Sequence, residues 1–413
     1  MLSILRTQLG RNSVWMLGGF GLRLAMQAVY FVIIARILGP AQYGAFAAVV
    51  ALVATMCPFS GWGTGNILIR EVARKAESFG RYWGAAVATS LVSGVGLCVL
   101  ALVLGPLIVG QNIPYSVLVL IAASDLVFTR LSAISGQAFQ AFERLKWTAF
   151  LQILGSLLRL AGAILLMLLP STATAVSWSI CYFVSGVVAG CIGLLAVRTQ
   201  LGWGKLSLAP MRGEVREGFY FALGSSSQGT YNDIDKTLVG RLDSLEAAGS
   251  YSAAYRVFYA IFAPVQAVLF AGYARFFRAG KSGVRGSYSF ARKVLPVVLM
   301  YSCGATIVMV AVAPVLTRIL GTGYSEAAHA LLWIAPLPIL KTISYMAADT
   351  LTGGGRQSVR TLLQVIVAVT NVALNIFLIP KFGWIGAAWA TLVTDALLAL
   401  MLWVVVFRLA RDR

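Results

Sequence analysis

Long apolar segments recur along almost the whole chain, and they restrict the possible folds more than any other feature of the sequence. Of the 413 residues, 59% are hydrophobic and only 11% are Asp, Glu, Lys or Arg, whereas a soluble domain carries about 25% charged residues. An apolar segment of ~20 residues is the length that a helix needs to cross the hydrocarbon core of a bilayer. Backbone polar groups in lipid must pair within the protein, and segments of roughly 20 to 25 residues without strict alternation exclude a β-barrel. The sequence therefore predicts an all-α, polytopic membrane protein.

Twelve of these segments are predicted to be transmembrane helices. Their approximate bounds are 14–35, 44–69, 84–109, 114–138, 148–169, 175–197, 217–239, 248–272, 294–315, 327–350, 359–379 and 384–407.

The distribution of basic residues orients these spans. The net charge of +19 would also suit a nucleic-acid-binding protein. With the N-terminus in the cytoplasm, however, 23 of the 33 Lys and Arg residues lie at cytoplasmic ends or loops, and only four lie in loops on the opposite side: Arg36, Arg241, Arg318 and Lys381. This asymmetry follows the positive-inside rule. Both termini are therefore predicted to be cytoplasmic, and we expect no nucleic acid as a partner.

Eleven charged residues lie inside the predicted spans, apart from Glu217 and Arg360 at the start of two of them. They are Arg23, Arg130, Arg159, Lys236, Arg256, Lys341, Asp125, Asp233, Asp235, Asp349 and Asp395. Each costs about 2.5–3.5 kcal/mol at the centre of a transmembrane helix. For any single residue, an internal ion pair and a functional role explain the charge equally well. Eleven together favour a hydrated central cavity.

Neither the cysteines nor the histidine of the chain indicates a metal site. The five cysteines are scattered through apolar spans without CxxC spacing, and His329 is the only histidine. The glycines of "TGGGRQ" (352–357) are interpreted as a tight turn between helices, since the chain holds no GxxxxGK(S/T) phosphate-binding motif. We therefore expect no metal, no other cofactor and no ATP hydrolysis.

The two halves of the chain carry a weak internal repeat. "ARILGPAQYGAFAA" (35–48) aligns with "GRLDSLEAAGSYSAA" (240–254), so that Arg36 matches Arg241 and Gly44 matches Gly249. Each half contains six predicted spans and therefore has the same orientation, which is the parallel-repeat plan of some transporters. The predicted domains are an N-lobe over 1–205 and a C-lobe over 206–413.

Four motifs in order along the chain carry a resemblance to a known family. They are "ARILGPAQYGAF" (35–46), "GTGNILIREVAR" (63–74), "YNDIDKTLVGRL" (231–242) and "NVALNIFLIPKFGWIGAAWATLVTD" (371–395). Each is only moderately specific, but their order and spacing resemble the polysaccharide-export (Wzx-type) flippases over essentially the whole chain. That family belongs to the MOP superfamily, which also contains MATE exporters and the lipid II flippases.

The resemblance implies a V-shaped, MATE-like bundle of two six-helix lobes. Such a protein would move an isoprenyl (undecaprenyl) pyrophosphate-linked oligosaccharide from the cytoplasmic to the periplasmic leaflet of the bacterial inner membrane, for O-antigen or exopolysaccharide assembly. Polysaccharide polymerase and glycosyltransferases are the implied protein partners.

A cationic cavity that binds the pyrophosphate and sugars is the site that this function requires. Arg23, Arg130 and Arg159 suit it in the N-lobe, because a guanidinium can donate two hydrogen bonds to one phosphate group. Arg256 and Lys341 are the further candidates in the C-lobe. Arg23 also matches a first-span arginine position of the lipid II flippases.

The seventh span carries Asp233, Asp235 and Lys236, which are predicted to act in ion coupling or gating. Asn232, Asp233 and Lys236 share a broad helical face, and Asp235 is expected to point away from it, toward the next span or the membrane interface. The carboxylates suit a coupling Na⁺ or proton. An ion pair of Lys236 with an aspartate that gates the periplasmic mouth is the alternative.

Two other classes of function compete with the flippase. A membrane glycosyltransferase or polymerase would be an enzyme with a large periplasmic loop, and no opposite-side loop here exceeds about a dozen residues. A MATE-type multidrug or cation antiporter shares the fold, but the basic excess of the N-lobe favours an anionic substrate. We therefore expect a flippase and no enzyme.

Overall fold

The computed structural model describes residues 8–110, 112–204 and 215–411, and all of the regular secondary structure within these ranges is helical. Two compact units divide the chain, one ending at Gly229 and the other beginning at Thr230. Residues 205–214 lie outside the described ranges, so the predicted lobe boundary between residues 205 and 206 stays a prediction. The prediction of an all-α protein is confirmed.

The first unit is built from the helices that precede residue 204. They are α1 (Gln8–Met56), α2 (Thr64–Arg74), α3 (Phe79–Val109), α4 (Tyr115–Ala123), α5 (Arg130–Ala141), α6 (Leu145–Leu168) and α7 (Ala175–Gln200). A π-helical turn, Ser124–Thr129, joins α4 to α5 without a loop.

The second unit contains longer helices. They are α8 (Val215–Leu242), which crosses the division between the units, α9 (Leu245–Ala279), α10 (Val284–Leu320), α11 (Ser325–Trp333), α12 (Leu337–Gly353) and α13 (Gln357–Arg411).

Two of the helices each contain two predicted spans. In α1 the backbone leaves the helical region at Gly39, with φ of 70°, and in α13 it does so at Gly383, with φ of 57°. Positive φ is a conformation that glycine adopts without steric cost. Each long helix is therefore a pair of helices that meet at a kink.

Eight helical stretches of the described chain are long and apolar enough to cross a membrane, or nine if Thr322–Trp333 and Leu337–Gly353, which meet at 47°, form one span. The two kinked stretches hold two predicted spans each. The seventh predicted span lies in α8, which is not among the nine because polar and charged residues interrupt it. All twelve predicted spans thus correspond to helical segments.

The second predicted span, 44–69, is not one continuous helix. Its first part ends at Met56, a 3₁₀ turn follows over Cys57–Phe59, and the backbone has positive φ at Gly61, Trp62 and Gly63 before α2 begins. Irregular backbone at membrane depth is tolerated only where protein or a cavity surrounds it. Side chains and backbone of other helices satisfy it here: Ser60 Oγ donates to the Leu126 carbonyl (2.6 Å), and Gly61 N donates to Ser93 Oγ (2.8 Å).

Glycines allow α7 to pack closely on the π-helical turn and α5. A Cβ atom on Gly190 would lie 2.9 Å from the Phe128 carbonyl oxygen, and one on Gly186 would lie 2.5 Å from Ser124 Oγ. Small residues that let helix backbones approach are typical of helix contacts in membranes. This packing holds the π-helical turn beside Tyr182 of α7.

Candidate functional site

A polar cavity of about 370 Å³ lies among α1, the π-helical turn, α5, α6 and α7 of the first unit. Its polar lining consists of two arginines, four glutamines and five hydroxyl side chains: Arg23, Arg159, Gln27, Gln137, Gln140, Gln152, Thr129, Ser132, Thr148, Ser156 and Ser185. Small residues such as Gly136 and Gly155 line the rest. No Asp or Glu is among the described residues that line it.

The helical repeat explains why these side chains converge. On α6, Thr148, Gln152, Ser156 and Arg159 follow one another at intervals of three or four residues, which places them on one face of the helix. Residues of α5 from Ser132 to Gln140 face the cavity at the same intervals. The cavity is therefore lined by two polar helical faces that meet, with α1 and α7 on its sides.

Two contacts fix the register between these faces. Thr148 Oγ1 donates to the Gly136 carbonyl at 2.9 Å, and Arg159 Nη2 lies 3.4 Å from Asp125 Oδ1. Asp125 precedes Gly136 by the same number of residues as Thr148 precedes Arg159, which corresponds to about 16 Å along each helix. Thr148 and Gly136 thus lie near the α5–α6 connection, and Arg159 and Asp125 lie at the far end.

Arg159 is held in a cluster with Asp125 and Tyr182. Its Cζ atom lies 3.9 Å from the centroid of the Tyr182 ring, and Tyr182 Oη donates to Asp125 Oδ2 at 2.9 Å. Thr129 Oγ1 donates to the other carboxylate oxygen at 3.3 Å. Asp125 and Thr129 both belong to the π-helical turn, a distortion that occurs often at functional sites. The positive charge of Arg159 is therefore compensated within the protein.

Arg23 lines the same cavity and is partly exposed to it. It forms no hydrogen bond or ion pair with any other residue in the described part of the chain. Gly19, one turn before Arg23, packs on α6 at Ala149, where an added Cβ atom would lie 3.0 Å from Ala149 Cβ. One turn further along each helix, Arg23 therefore lies near Gln152. Arg23 thus brings an uncompensated cation to the cavity.

Arg130 does not line the cavity. Its guanidinium packs on the broken part of the second span, where a Cβ atom on Gly61 would lie 2.7 Å from both Arg130 Nε and Ser90 Oγ. The Nε atom is buried and has no hydrogen-bond partner in the described ranges. The structure therefore brings Arg23 and Arg159 together and places Arg130 on a different face of α5.

In the second unit, Lys236 is the centre of a buried charge cluster. Its Nζ atom lies 3.0 Å from Asp233 Oδ1 and 3.3 Å from Asp235 Oδ1, and it donates to the Asn232 carbonyl at 2.6 Å. The ammonium also lies 4.0 Å from the centroid of the Tyr255 ring. Lys236 therefore contacts both aspartates that were predicted with it.

Asp235 faces the next helix along the chain, one of the two placements expected for it. Its carboxylate accepts hydrogen bonds from Tyr251 Oη of α9 (3.0 Å) and Thr391 Oγ1 of α13 (3.5 Å), and the residue is 1% exposed. The expectation that it would point away from Lys236 is wrong. The four-carbon side chain of lysine is long enough to contact carboxylates on both sides.

Lys341 forms a second buried cluster beside the first. Its Nζ atom lies 3.4 Å from Asp395 Oδ2 and donates to Asn232 Oδ1 at 3.0 Å. Asn232 thus contacts both lysines, through its carbonyl and its amide. Lys341 and Asp395 are 2% and 1% exposed, whereas Arg256, also predicted to bind substrate, is exposed.

No group of three or more His, Cys, Asp or Glu side chains is placed to hold a metal ion among the described residues. The carboxylates Asp233, Asp235 and Asp395 instead have ammonium groups within 3.4 Å.

Gln27 and Gln152 line the cavity, and Tyr182 packs on Arg159 beside it, but none of the three was singled out from the sequence. The intramembrane charges alone were used to find the site, and uncharged polar residues in apolar helices went unused. The signal was present as a polar residue every three or four positions along 129–140 and 148–159. Such periodicity predicts which face of a helix is polar.

The sequence matches a protein family and several proteins of known structure. A family described as "Polysaccharide biosynthesis protein" matches residues 9–272. A protein of Escherichia coli (strain K12) named "Putative O-antigen transporter" is 24% identical over 405 residues, which is 95% of each chain.

Two solved structures are similar over almost the whole chain. One is an inward-facing multidrug resistance MATE family transporter of the MOP superfamily, with a TM-score of 0.76 and 14% identity, covering 95% of this chain and 99% of that one. The other is the lipid II flippase MurJ in an inward closed conformation, with a TM-score of 0.76 and 14% identity, covering 96% and 87%. At these identities the likeness establishes the fold, and the predicted MATE-like architecture is confirmed.

Proposed function

Because the chain belongs to the polysaccharide biosynthesis protein family, we propose that it is a flippase for a lipid-linked oligosaccharide. Its substrate would be an isoprenyl (undecaprenyl) pyrophosphate that carries a sugar repeat unit. The protein would move it from the cytoplasmic to the periplasmic leaflet of the bacterial inner membrane, with both termini in the cytoplasm. The name of the Escherichia coli relative, an O-antigen transporter, supports this substrate class, and so does the fold shared with a lipid II flippase.

The observation that carries the proposal is the uncompensated guanidinium of Arg23 in a cavity whose described lining has no carboxylate. An unpaired cation at membrane depth costs several kcal/mol, and an anionic ligand offsets that cost. A diphosphate offers several acceptor oxygens, to which a guanidinium can donate two hydrogen bonds at once. Arg23 is therefore proposed to bind the diphosphate, with Arg159 as a second donor.

A multidrug or cation antiporter is the alternative, since a MATE transporter shares the fold. A cationic substrate would need a carboxylate or aromatic surface in the cavity. The nearest carboxylate, Asp125, already pairs with Arg159 and accepts from Tyr182. The charge of this cavity therefore favours an anion.

Transport is proposed to occur by alternating access of two lobes, with the Lys236 cluster as the coupling or gating element. Each aspartate of the cluster already has an ammonium partner, so a Na⁺ or a proton would have to compete with Lys236. Asp233 is the most accessible of these carboxylates, with its side chain 31% exposed. It is therefore the first candidate for exchange of a coupling ion.

Complementation of a bacterial strain that lacks this gene tests the proposed function. We expect Arg23→Ala to abolish surface polysaccharide at normal expression, and Arg198→Ala, at an exposed arginine in the last turn of α7, to retain it. Retained polymer with Arg23→Ala would remove this residue from the site. Restored resistance to cationic drugs, without any polymer, would favour the antiporter. Polymerase and glycosyltransferases are the partners expected to consume and supply the substrate.

A further inference from the structure

Four glutamines line the same cavity as the two arginines to which diphosphate binding is assigned. We infer that Gln27, Gln137, Gln140 and Gln152 select an uncharged sugar next to the diphosphate of the transported lipid. This inference rests on the proposed function, because it concerns the other end of the same substrate.

The amide groups of these glutamines are available for a ligand. None of the four side chains forms a hydrogen bond with another residue in the described part of the chain. The Oε1 atom of Gln137 also has no partner there, but it is buried against Gly65 of α2 and does not itself face the cavity. Gln27, Gln137 and Gln152 are partly exposed and Gln140 is exposed, so these side chains are accessible to a molecule in the cavity.

The chemistry of the lining indicates what kind of ligand group does so. A primary amide offers two N–H donors and one acceptor oxygen, which matches sugar hydroxyl groups and acylated amines. A sugar carboxylate would require a further cation, and a free amino sugar would require a carboxylate. The described lining offers neither, since Arg159 is compensated by Asp125 and no acidic residue faces the space.

The positions of the glutamines place the sugar beside the diphosphate. Gln27 follows Arg23 by four residues and so lies on the same face of α1. Gln152 lies near the level of Arg23, as the contact of Gly19 with Ala149 indicates. Gln152 also precedes Arg159 by seven residues, about 10 Å of helix, which leaves room for a diphosphate and one sugar ring. Gln152 is therefore the glutamine best placed to contact the first sugar.

Binding of three short-chain probes to the purified full-length protein tests the inference. The probes are farnesyl diphosphate, farnesyl diphosphoglucose and farnesyl diphosphoglucuronate. We expect the wild-type protein to bind the glucose probe at least about tenfold more tightly than the glucuronate probe, a difference of 1.4 kcal/mol. Gln152→Leu is expected to weaken binding of the glucose probe about tenfold and to change binding of farnesyl diphosphate less than about twofold.

Gln200→Leu is the matched control, because Gln200 is exposed at the end of α7 and outside the cavity. It should bind all three probes as the wild type does. Gln152→Asn keeps the amide on a shorter side chain and so tests whether the amide itself is needed. The thermal melting temperature of each variant shows whether it is folded.

The outcomes separate the inference from the proposed function. Equal affinity of the wild type for the glucose and glucuronate probes would overturn the inference. An equal loss of affinity for all probes in Gln152→Leu would overturn it as well, while leaving diphosphate binding intact in the wild type. Failure of the wild type to bind even farnesyl diphosphate, by contrast, would contradict the proposed function itself.

Discussion

Asp125 is a residue whose role follows from its contacts. Its carboxylate pairs with Arg159 and accepts hydrogen bonds from Tyr182 and Thr129. These contacts fix the guanidinium of Arg159 against the Tyr182 ring at the far end of the cavity. Asp125 therefore acts as a positioning residue for Arg159, with Tyr182 as the surface on which the guanidinium lies.

Removal of both partners of this pair should cost less than the sum of the two single removals. Asp125→Ala is expected to lower the free energy of unfolding by about 3 kcal/mol, because it leaves the Arg159 charge buried without compensation. The double variant with Arg159→Ala should lose at least about 1 kcal/mol less than the sum of the single losses. Unfolding in mixed micelles measures these values, and strict additivity would show that the two residues do not interact.

For the individual residues, the sequence identified the charged side chains but not which of them lie together in the structure. Arg23 and Arg159 were predicted for the cavity, and they line it. Arg130 was predicted with them, but it lies on another face of α5. The sequence alone does not fix the direction in which each side chain leaves the helix axis. The π-helical turn at Ser124–Thr129 adds to this, because it rotates the following residues relative to a regular helix.

Among the helices, the kink of α13 depends on a residue from another element. The Trp384 backbone N–H donates to Asp243 Oδ2 at 2.9 Å, just after Gly383. Partial burial raises the pKa of the Asp243 carboxyl, and the hydrogen bond from Trp384 N opposes that rise. The kink therefore uses Asp243 as a hydrogen-bond acceptor at the start of the second half of α13.

Two substitutions should distinguish the acceptor from the charge. Asp243→Ala is expected to cost about 1 kcal/mol, as does the loss of a helix cap, whereas Asp243→Asn keeps an acceptor oxygen and should stay close to the wild type. Gly383→Ala should cost more than either, because φ is 57° and the added Cβ would lie 2.6 Å from Asp243 Oδ2. Melting temperatures of the purified variants test this order; an equal loss in Asp243→Asn and Asp243→Ala would assign the effect to charge.

Hydropathy predicted every helical segment but not the break in the second span. Apolar residues continue through "ATMCPFSGW" (54–62), so the average over a window stays high. Pro58 and the glycines at 61 and 63 were the local signal. These residues alone do not decide between a kinked helix and an interrupted one. The interruption depends also on hydrogen bonds with residues distant in sequence, such as that from Ser60 Oγ to the Leu126 carbonyl.

Over the whole molecule, most of the intramembrane charges are paired. Among the described residues, five ion pairs join such charges: Arg159 with Asp125, Lys236 with Asp233, Lys236 with Asp235, Lys341 with Asp395, and Arg360 with Asp349. The prediction that eleven charges mark one hydrated cavity was thus too broad, because pairing within the protein explains most of them. In the described chain, Arg23 and Arg130 have no ion pair, and only Arg23 lines the cavity.

The paired charges of the second unit suit coupling better than substrate binding. Asp233→Asn is expected to slow transport about tenfold, because it removes the most accessible charge of the Lys236 cluster, while leaving the affinity for farnesyl diphosphate unchanged. Asp243→Asn serves as the control, at an aspartate of the same unit outside that cluster. Transport into proteoliposomes with and without Na⁺ and pH gradients measures the effect. An unchanged rate in Asp233→Asn, and in wild type after both gradients are collapsed, would remove the cluster from coupling.

An uncompensated Arg23 in the first unit is proposed to hold the anionic head of the lipid during transport. The most direct measurement is the rate at which purified protein in liposomes moves a fluorescent isoprenyl diphosphate oligosaccharide between leaflets. We predict that wild type and Arg198→Ala move it at similar rates and that Arg23→Ala slows it by about 100-fold, the loss of about 3 kcal/mol. Transport by Arg23→Ala at the wild-type rate, with equal incorporation into the liposomes, would contradict this role of Arg23.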